Sequence, residues 1–299
     1  MEQLDVLFVG NSTRDLMMLV EEPPVSDRRI SASAFVKSSG GVAATAAVAH
    51  QRLGGRTGIV SAVGDDETGR EILADMEAQG FAYVSYTTFP GSFSSTSLIQ
   101  VEHSGKRCLT CFGGCINKLR LSDIDETILR STKIVHIGVM DYDAAADICE
   151  FVRRETDAII SIDGGNIPRQ PMEKLLPYAD FFIPDNKTAM LTLGLEPQDA
   201  CRWYVDHGCR VAAVTAAELG TWAWDGHTMY HADAYAVNVV DTTGAGDNFH
   251  GAFLYAVNRG WSLQRCLRFA NVFASLSCTA MGGRAALPPL ETVLSLMDA

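Results

Sequence analysis

Short continuous apolar runs alternate with amphipathic helical stretches along most of this 299-residue chain, and that alternation leaves few folds open. Val6 to Val9 is an apolar run that ends at Gly10. Gly41 to Leu53 is Ala-rich and reads as a helix, Thr57 to Val63 as a strand, and Glu67 to Gln79 as a helix. Lys133 to Val139, Ala158 to Asp163, Phe181 to Pro184 and Arg210 to Thr215 continue the strand series, with a helix over Ala144 to Glu155. Strands apolar on both faces and interleaved with helices predict a mostly parallel sheet covered by helices on both sides, with right-handed crossovers. The chain is long enough for a sizeable core. No repeat, low-complexity tract or linker divides it.

Two segments break the rhythm. Residues Leu16 to Ser39 and Ser94 to Cys111 alternate apolar and polar positions without helical spacing, the mark of a half-exposed sheet. We expect a small antiparallel sheet with a turn at Gly105. A small sheet projecting from a large α/β body serves as a lid over a site, as a dimer contact, or as an ordinary β-extension.

The formal net charge of -12 argues against nucleic acid as the main partner, because phosphate backbones are bound by clustered Lys and Arg. A nucleotide needs only a local nest of backbone N–H groups. The opening Met-Glu-Gln-Leu-Asp carries acids where a secretory leader carries positive charge, and no apolar run is long enough to span a bilayer. The expected location is the cytoplasm, with no membrane partner. The eight cysteines are then reduced thiols. Cys108, Cys111 and Cys115 are spaced as a C-x2-C-x3-C cluster. A zinc site wants a fourth ligand and a tight loop, and this stretch reads as a strand, so strand packing is the favoured reading.

The C-terminal third carries the chemistry. Trp222 to Trp224 and Thr228 to His231 read as a hairpin around Asp225-Gly226. The run Val239-Val240-Asp241-Thr242-Thr243-Gly244-Ala245-Gly246-Asp247 then reads as strand, glycine turn and helix start, and another helix covers Leu263 to Thr279. Glycines let the backbone approach a ligand closely. The helix N-terminus presents free N–H groups and a positive dipole end, a ready anion site. Asp247 in the first turn reaches the same space. An anion site beside a carboxylate suits phosphoryl transfer: the N–H groups stabilise the transferred group and the carboxylate takes the proton of the attacking hydroxyl. The plainer reading makes Asp247 a helix cap and the glycines a turn. Neither a Walker A loop nor a Rossmann glycine fingerprint is present in the sequence, which makes a dehydrogenase reading poor.

The run Asp241 to Phe253 resembles the second signature of the ribokinase-like, or PfkB, carbohydrate kinases. Gly40-Gly41-Val42-Ala43-Ala44-Thr45-Ala46, Leu53-Gly54 and Val63-Gly64-Asp65-Asp66 resemble the first. The likeness spans nearly the whole chain. It implies a single ribokinase-like domain over residues 1–299, an α/β body with a small β-sheet lid from about 16–39 and 94–112, ATP and Mg²⁺ as cofactors, and a sugar-like acceptor. It also implies roles. Asp247 would be the base, with the backbone of Gly244, Ala245 and Gly246 as the anion hole. Asn11, Asp15, Gly40, Gly41 and Thr45 would line the acceptor site, Thr45 standing where asparagine is usual. Thr215, Glu218, Gly220 and Asn271 would bind ATP, with Ala217 where glycine is usual. Asp241 and Thr243 match a site where some members hold K⁺.

One departure concerns the acid that follows the central strands in the family. Here Pro184-Asp185-Asn186-Lys187-Thr188-Ala189 lacks the glutamate, leaving Asp185 as the Mg²⁺ ligand to consider. Gly282-Gly283-Arg284-Ala285-Ala286-Leu287-Pro288 is also similar to the sulfofructose kinase branch, although Val139-Met140-Asp141 lacks the arginine of that branch. Arg14, Arg28, Arg29, Lys37, Lys106 and Arg107 are cations available to an anionic sugar. A nucleoside kinase of the same fold and a sugar-binding regulator without catalysis are the competing readings. A homodimer through the lid is the expected assembly.

Overall fold

The computed structural model describes residues 2–102 and 107–297; the turn expected at Gly105, with Lys106, lies outside them. Two sheets form. The larger contains β1 (Leu4–Val9), β4 (Thr57–Gly64), β5 (Tyr83–Phe89), β8 (Thr132–Ile137), β9 (Ile159–Asp163), β10 (Phe181–Ile183), β11 (Val211–Thr215), β12 (Thr221–Trp224) and β13 (Met229–Ala232). The smaller contains β2 (Thr13–Val20), β3 (Ala34–Gly40), β6 (Thr96–Glu102) and β7 (Arg107–Phe112).

The large sheet has the order β13-β12-β11-β10-β9-β8-β1-β4-β5. Its strands pair in parallel from β5 through β11, and β12 and β13 add an antiparallel edge. The helices are α1 (Val42–Arg52), α2 (Glu67–Ala78), α3 (Glu126–Arg130), α4 (Tyr142–Glu155), α5 (Arg169–Leu175), α6 (Asn186–Leu193), α7 (Pro197–Asp206), α8 (Ala245–Asn258), α9 (Leu263–Ser277) and α10 (Leu290–Met297). Alternate residues of β1 feed separate cores: Leu7 and Val9 join α4 and α7 on one face, while Val6 and Phe8 join α1, α8 and α9 on the other. The period-2 geometry of a strand requires this split, and it explains why β1 shows no polar face.

Two local expectations are corrected. Val239 and Val240 form no strand; the N–H groups of Val240 and Asp241 both bond to Cys278 O, at 2.8 and 3.2 Å. The segment is therefore anchored to the end of α9 instead of a ladder. The small sheet is not wholly antiparallel either, because β2 and β6 pair in parallel while β3 and β7 flank them antiparallel. Both central strands follow directly on parallel body strands, β1 and β5, and so leave the body in the same direction. One face of this sheet packs Met17, Ile99 and Val101; Phe35, Leu98, Leu109 and Phe112 are exposed. Cys108 and Cys111 lie exposed on β7, and Cys115 is buried beyond it.

No helix among the described residues is long and apolar enough to cross a membrane.

Candidate active site

Every parallel strand of the body points its carboxyl end at one rim, the place where open α/β sheets bind ligands. There Gly244 adopts φ 72°, a left-handed conformation that costs an L-residue about 1–2 kcal/mol. The turn delivers the N-terminus of α8, which has no side-chain cap. Nothing in the protein lies within 4 Å of where a Gly246 Cβ would sit, so the chain at Gly246 borders open space, while the Ala245 N–H turns back onto Thr242 O at 3.3 Å. Asp241 fixes the turn from below. Its Oδ1 accepts from Thr243 N–H and Oγ1 at 2.9 and 2.7 Å, and its Oδ2 accepts from Gly282 N–H at 2.8 Å. Asn248 Nδ2 donates to Gly283 O at 2.8 Å, joining the helix to the same loop.

Asp247 stands in the first turn of α8. Burial pushes its carboxyl up to about 7, and the negative charges of Asp163 and Asp15 add to the rise. Arg107 and Arg284 oppose it. Arg107 comes from β7 of the small sheet and Arg284 from the loop before α10. The carboxylate therefore sits in a mixed field, with a proton affinity suited to exchange near neutral pH.

The turn after β1 and the start of β2 carry the residues expected to meet the acceptor. Asp15 is buried and accepts from Thr13 Oγ1 at 2.8 Å. Desolvation raises its carboxyl, against hydrogen bonds from Thr13 and Ser97 and the charges of Arg284 and Arg14. A Cβ on Gly40 would fall 2.0 Å from Asp15 Oδ2, so glycine is required for Asp15 to occupy this place. Asn11 Oδ1 accepts from Val42 N–H at 3.1 Å, securing the start of α1 behind Gly41. Thr45 is buried in the first turn of α1, and its Oγ1 accepts from Arg284 Nε at 3.2 Å. The same guanidinium donates to Gly40 O at 2.9 Å and pairs with Asp75 at 3.1 Å. Sequence reasoning placed no role on Arg284, although its Gly282-Gly283-Arg284 context was visible.

Of the other cations named from sequence, Arg14 and Lys37 share Glu71, at 3.1 and 2.5 Å. Arg28 pairs with Glu22 at 2.6 Å. Arg107, from the small sheet, acts on Asp247.

Of the residues expected at the nucleotide, Thr215 ends β11, and Glu218 is exposed in the short turn 217–219 that Gly220 closes. Ala217 adopts φ 48°, the conformation for which glycine is suited. Asn271 turns inward. It accepts from Thr221 Oγ1 at 2.7 Å and donates to Ala232 O and Asp233 O at 2.8 and 3.2 Å. Its amide thus braces the β12–β13 edge instead of facing an open cleft.

Asp185 is the N-cap of α6, with Oδ1 accepting from Thr188 N–H at 2.7 Å. Thr188 and Ala189, the two residues in register with the missing glutamate, are both buried. Asp185 is consequently the acid this stretch offers to a metal.

A parallel α/β rim, an uncapped helix N-terminus and a carboxylate of raised proton affinity define a phosphoryl-transfer type of site. The pfkB family carbohydrate kinase profile matches residues 3–290, and the chain belongs to that family of phosphotransferases. A deoxyribokinase of Salmonella typhi is 26% identical, covering 96% of this chain and 97% of its own. A nucleoside kinase of Methanothermobacter thermautotrophicus is also 26% identical, covering 96% and 93%. Among solved structures, a putative ribokinase from Agrobacterium tumefaciens superposes with a TM-score of 0.89 at 29% identity, covering 98% of this chain and 97% of that one.

Proposed function

We propose that the protein transfers the γ-phosphoryl group of ATP to a hydroxyl of a sugar or sugar derivative, with Asp247 as general base. The observation that carries this reading is the placement of Asp247 in the first turn of α8, directly beside uncapped N–H groups. In the reaction the acceptor oxygen attacks the γ-phosphorus. The bond from that phosphorus to the β,γ-bridging oxygen breaks, the hydroxyl proton passes to Asp247, and ADP leaves. The N–H groups of Gly244, Ala245 and Gly246 stabilise the charge spread over the transferred group. Asp15 holds acceptor hydroxyls, with Asn11, Gly40, Gly41 and Thr45 shaping the pocket. Thr215, Glu218 and Gly220 border the nucleotide. Asn271 supports that border from behind through its bonds to the β12–β13 edge.

Mg²⁺, which favours phosphate oxygens and water, would have Asp185 as the protein acid available to it. Asp241 and Thr243 are the residues that would hold K⁺ if the protein uses it. With Asp241 accepting three hydrogen bonds from the protein, a cation there would share its oxygens with the turn it steadies. Residues 1–299 act as one kinase domain whose small sheet closes over the acceptor and forms the contact of a homodimer. The location fitting this activity is the cytoplasm.

The test is ADP release by the purified protein with Mg²⁺ and K⁺ over ketoses, aldoses, their phosphates, sugar acids and nucleosides. Turnover with a sugar class supports the proposal. Turnover confined to nucleosides replaces the acceptor class, and ligand-dependent thermal stabilisation without any turnover makes the protein a binding regulator.

A further inference from the structure

One helical turn below Asp247, two histidines and an aspartate converge between the sheet and α8. His136 lies on β8, Asp163 ends β9, and His250 lies on α8. The histidines are 0% and 4% exposed, with ring centroids 5.0 Å apart. Two ring nitrogens, His136 Nε2 and His250 Nδ1, are buried without any hydrogen-bond partner. That is unusual, since nearly all buried polar atoms are satisfied, and here two occur in adjacent rings. His136 Nδ1 is 3.1 Å from Ser161 Oγ, and His250 Nε2 is 3.3 Å from Asp163 Oδ2. Asp163 Oδ1 accepts from Gly165 N–H at 2.7 Å, which fixes the carboxylate.

We propose that His136, Asp163 and His250 form a site for a first-row divalent ion of the zinc class. One potential ligand atom from each residue lies within 4.8 Å of the other two, the sole grouping of this kind among the described residues. A tetrahedral ion with bonds of ~2.1 Å spaces its ligands at ~3.4 Å, so side-chain adjustments of about 1 Å close the set. Two imidazoles and one carboxylate suit zinc, cobalt or nickel and are a poor match for Mg²⁺ or Ca²⁺, which favour oxygen. Burial keeps both imidazoles neutral, the form that ligates. The Ser161 hydroxyl supplies an outer-shell partner that orients one ring, as metal sites require. Asp163 is one-tenth exposed and ends its strand at the active-site rim, so an ion reaches the site from the cleft. The ion would also offset the charge that Asp163 places near Asp247. This inference rests on the cluster's geometry and is independent of the kinase reading.

The experiment is titration of metal-stripped, nucleotide-free protein with Co²⁺, followed by visible absorption and by displacement with Zn²⁺. One equivalent should bind with the intense bands of a four-coordinate nitrogen and oxygen site. His136→Asn and His250→Gln should each weaken binding by about 100-fold or more, with the far-UV circular dichroism unchanged. No four-coordinate bands at millimolar Co²⁺ with the wild-type protein overturns the proposal, whatever the variants do. So does one-equivalent binding that both folded variants retain, because the ion then sits elsewhere.

Discussion

Arg284 Nε donates to Thr45 Oγ1 at 3.2 Å across 239 positions of sequence, joining the loop before α10 to the first turn of α1. The guanidinium is 12% exposed and also bonds Gly40 O and Asp75. Asp75 is 30% exposed, so its ion pair is screened; the hydrogen bonds to Thr45 and Gly40 are worth about 0.5–1.5 kcal/mol each, and a planar fork is not replaced by an ammonium. Arg284→Lys should therefore lower Tm by roughly 2–6 °C, for about 1–3 kcal/mol lost. Thr45→Ala should cost less, and the double mutant should show a coupling of at least about 0.5 kcal/mol. Additive effects in thermal unfolding would show that the contact contributes nothing.

As the proposed base, Asp247 should affect rate and stability in opposite senses. Asp247→Asn removes the proposed base and should lower ADP formation by about 10²–10⁴-fold. In the wild-type enzyme, kcat/KM should rise with pH and level off above an inflection near 7, where the carboxylate ionises. For stability, the folded state holds this proton more tightly than the unfolded chain, whose Asp value is 3.8. The contribution of Asp247 therefore falls as pH rises from about 4 to about 7. The Asn variant should melt a few degrees above wild type at pH 8 and match it at pH 4. A lower Tm for the variant at pH 8 would contradict the strained-carboxylate account.

Gly40→Ala tests the acceptor side. The new Cβ would lie 2.0 Å from Asp15 Oδ2, and the buried carboxylate must swing away from Thr13. We expect KM for the acceptor to rise about tenfold or more, with KM for ATP nearly unchanged. An unaltered acceptor KM would remove Asp15 from the acceptor site.

Ala217 is held at φ 48°, at a cost of about 1–2 kcal/mol for a residue with a Cβ. Ala217→Gly relieves that strain and loses about 0.4–1 kcal/mol through the freer unfolded chain. Tm should stay level or rise by up to about 3 °C. A clear drop in a thermal melt would mean that the Ala217 methyl packs favourably enough to outweigh the strain.

The parts of the site that the sequence displays are those made by neighbours in the chain. Asp241, Gly244 and Asp247 act within one turn and one helix start, so their spacing alone carries the chemistry. Gly40 was legible as a glycine, but its reason, the carboxylate of Asp15, appears only when β2 and β3 pair. Arg284, Asp163, His136 and His250 come from separate elements, and no local pattern brings them together. Val239 and Val240 read as a strand because β-branched residues favour strands, whereas Cys278 O accepts the N–H groups of Val240 and Asp241 in place of a ladder. The parallel pairing of β2 with β6 escaped notice because alternation reveals a face and says nothing of strand direction.

The small sheet contributes Asp15 from β2 and Arg107 from β7, whereas Asp247 belongs to the helical layer of the body. The two proposed carboxylates thus belong to different layers, which the β1–β2, β3–α1 and β5–β6 connections join. An acceptor gripping Asp15 on one side and presenting its hydroxyl to Asp247 on the other would itself be the clamp that aligns them. On the proposed function, water would make no such bridge, and an architecture built for a polyol would also guard the nucleotide against idle hydrolysis.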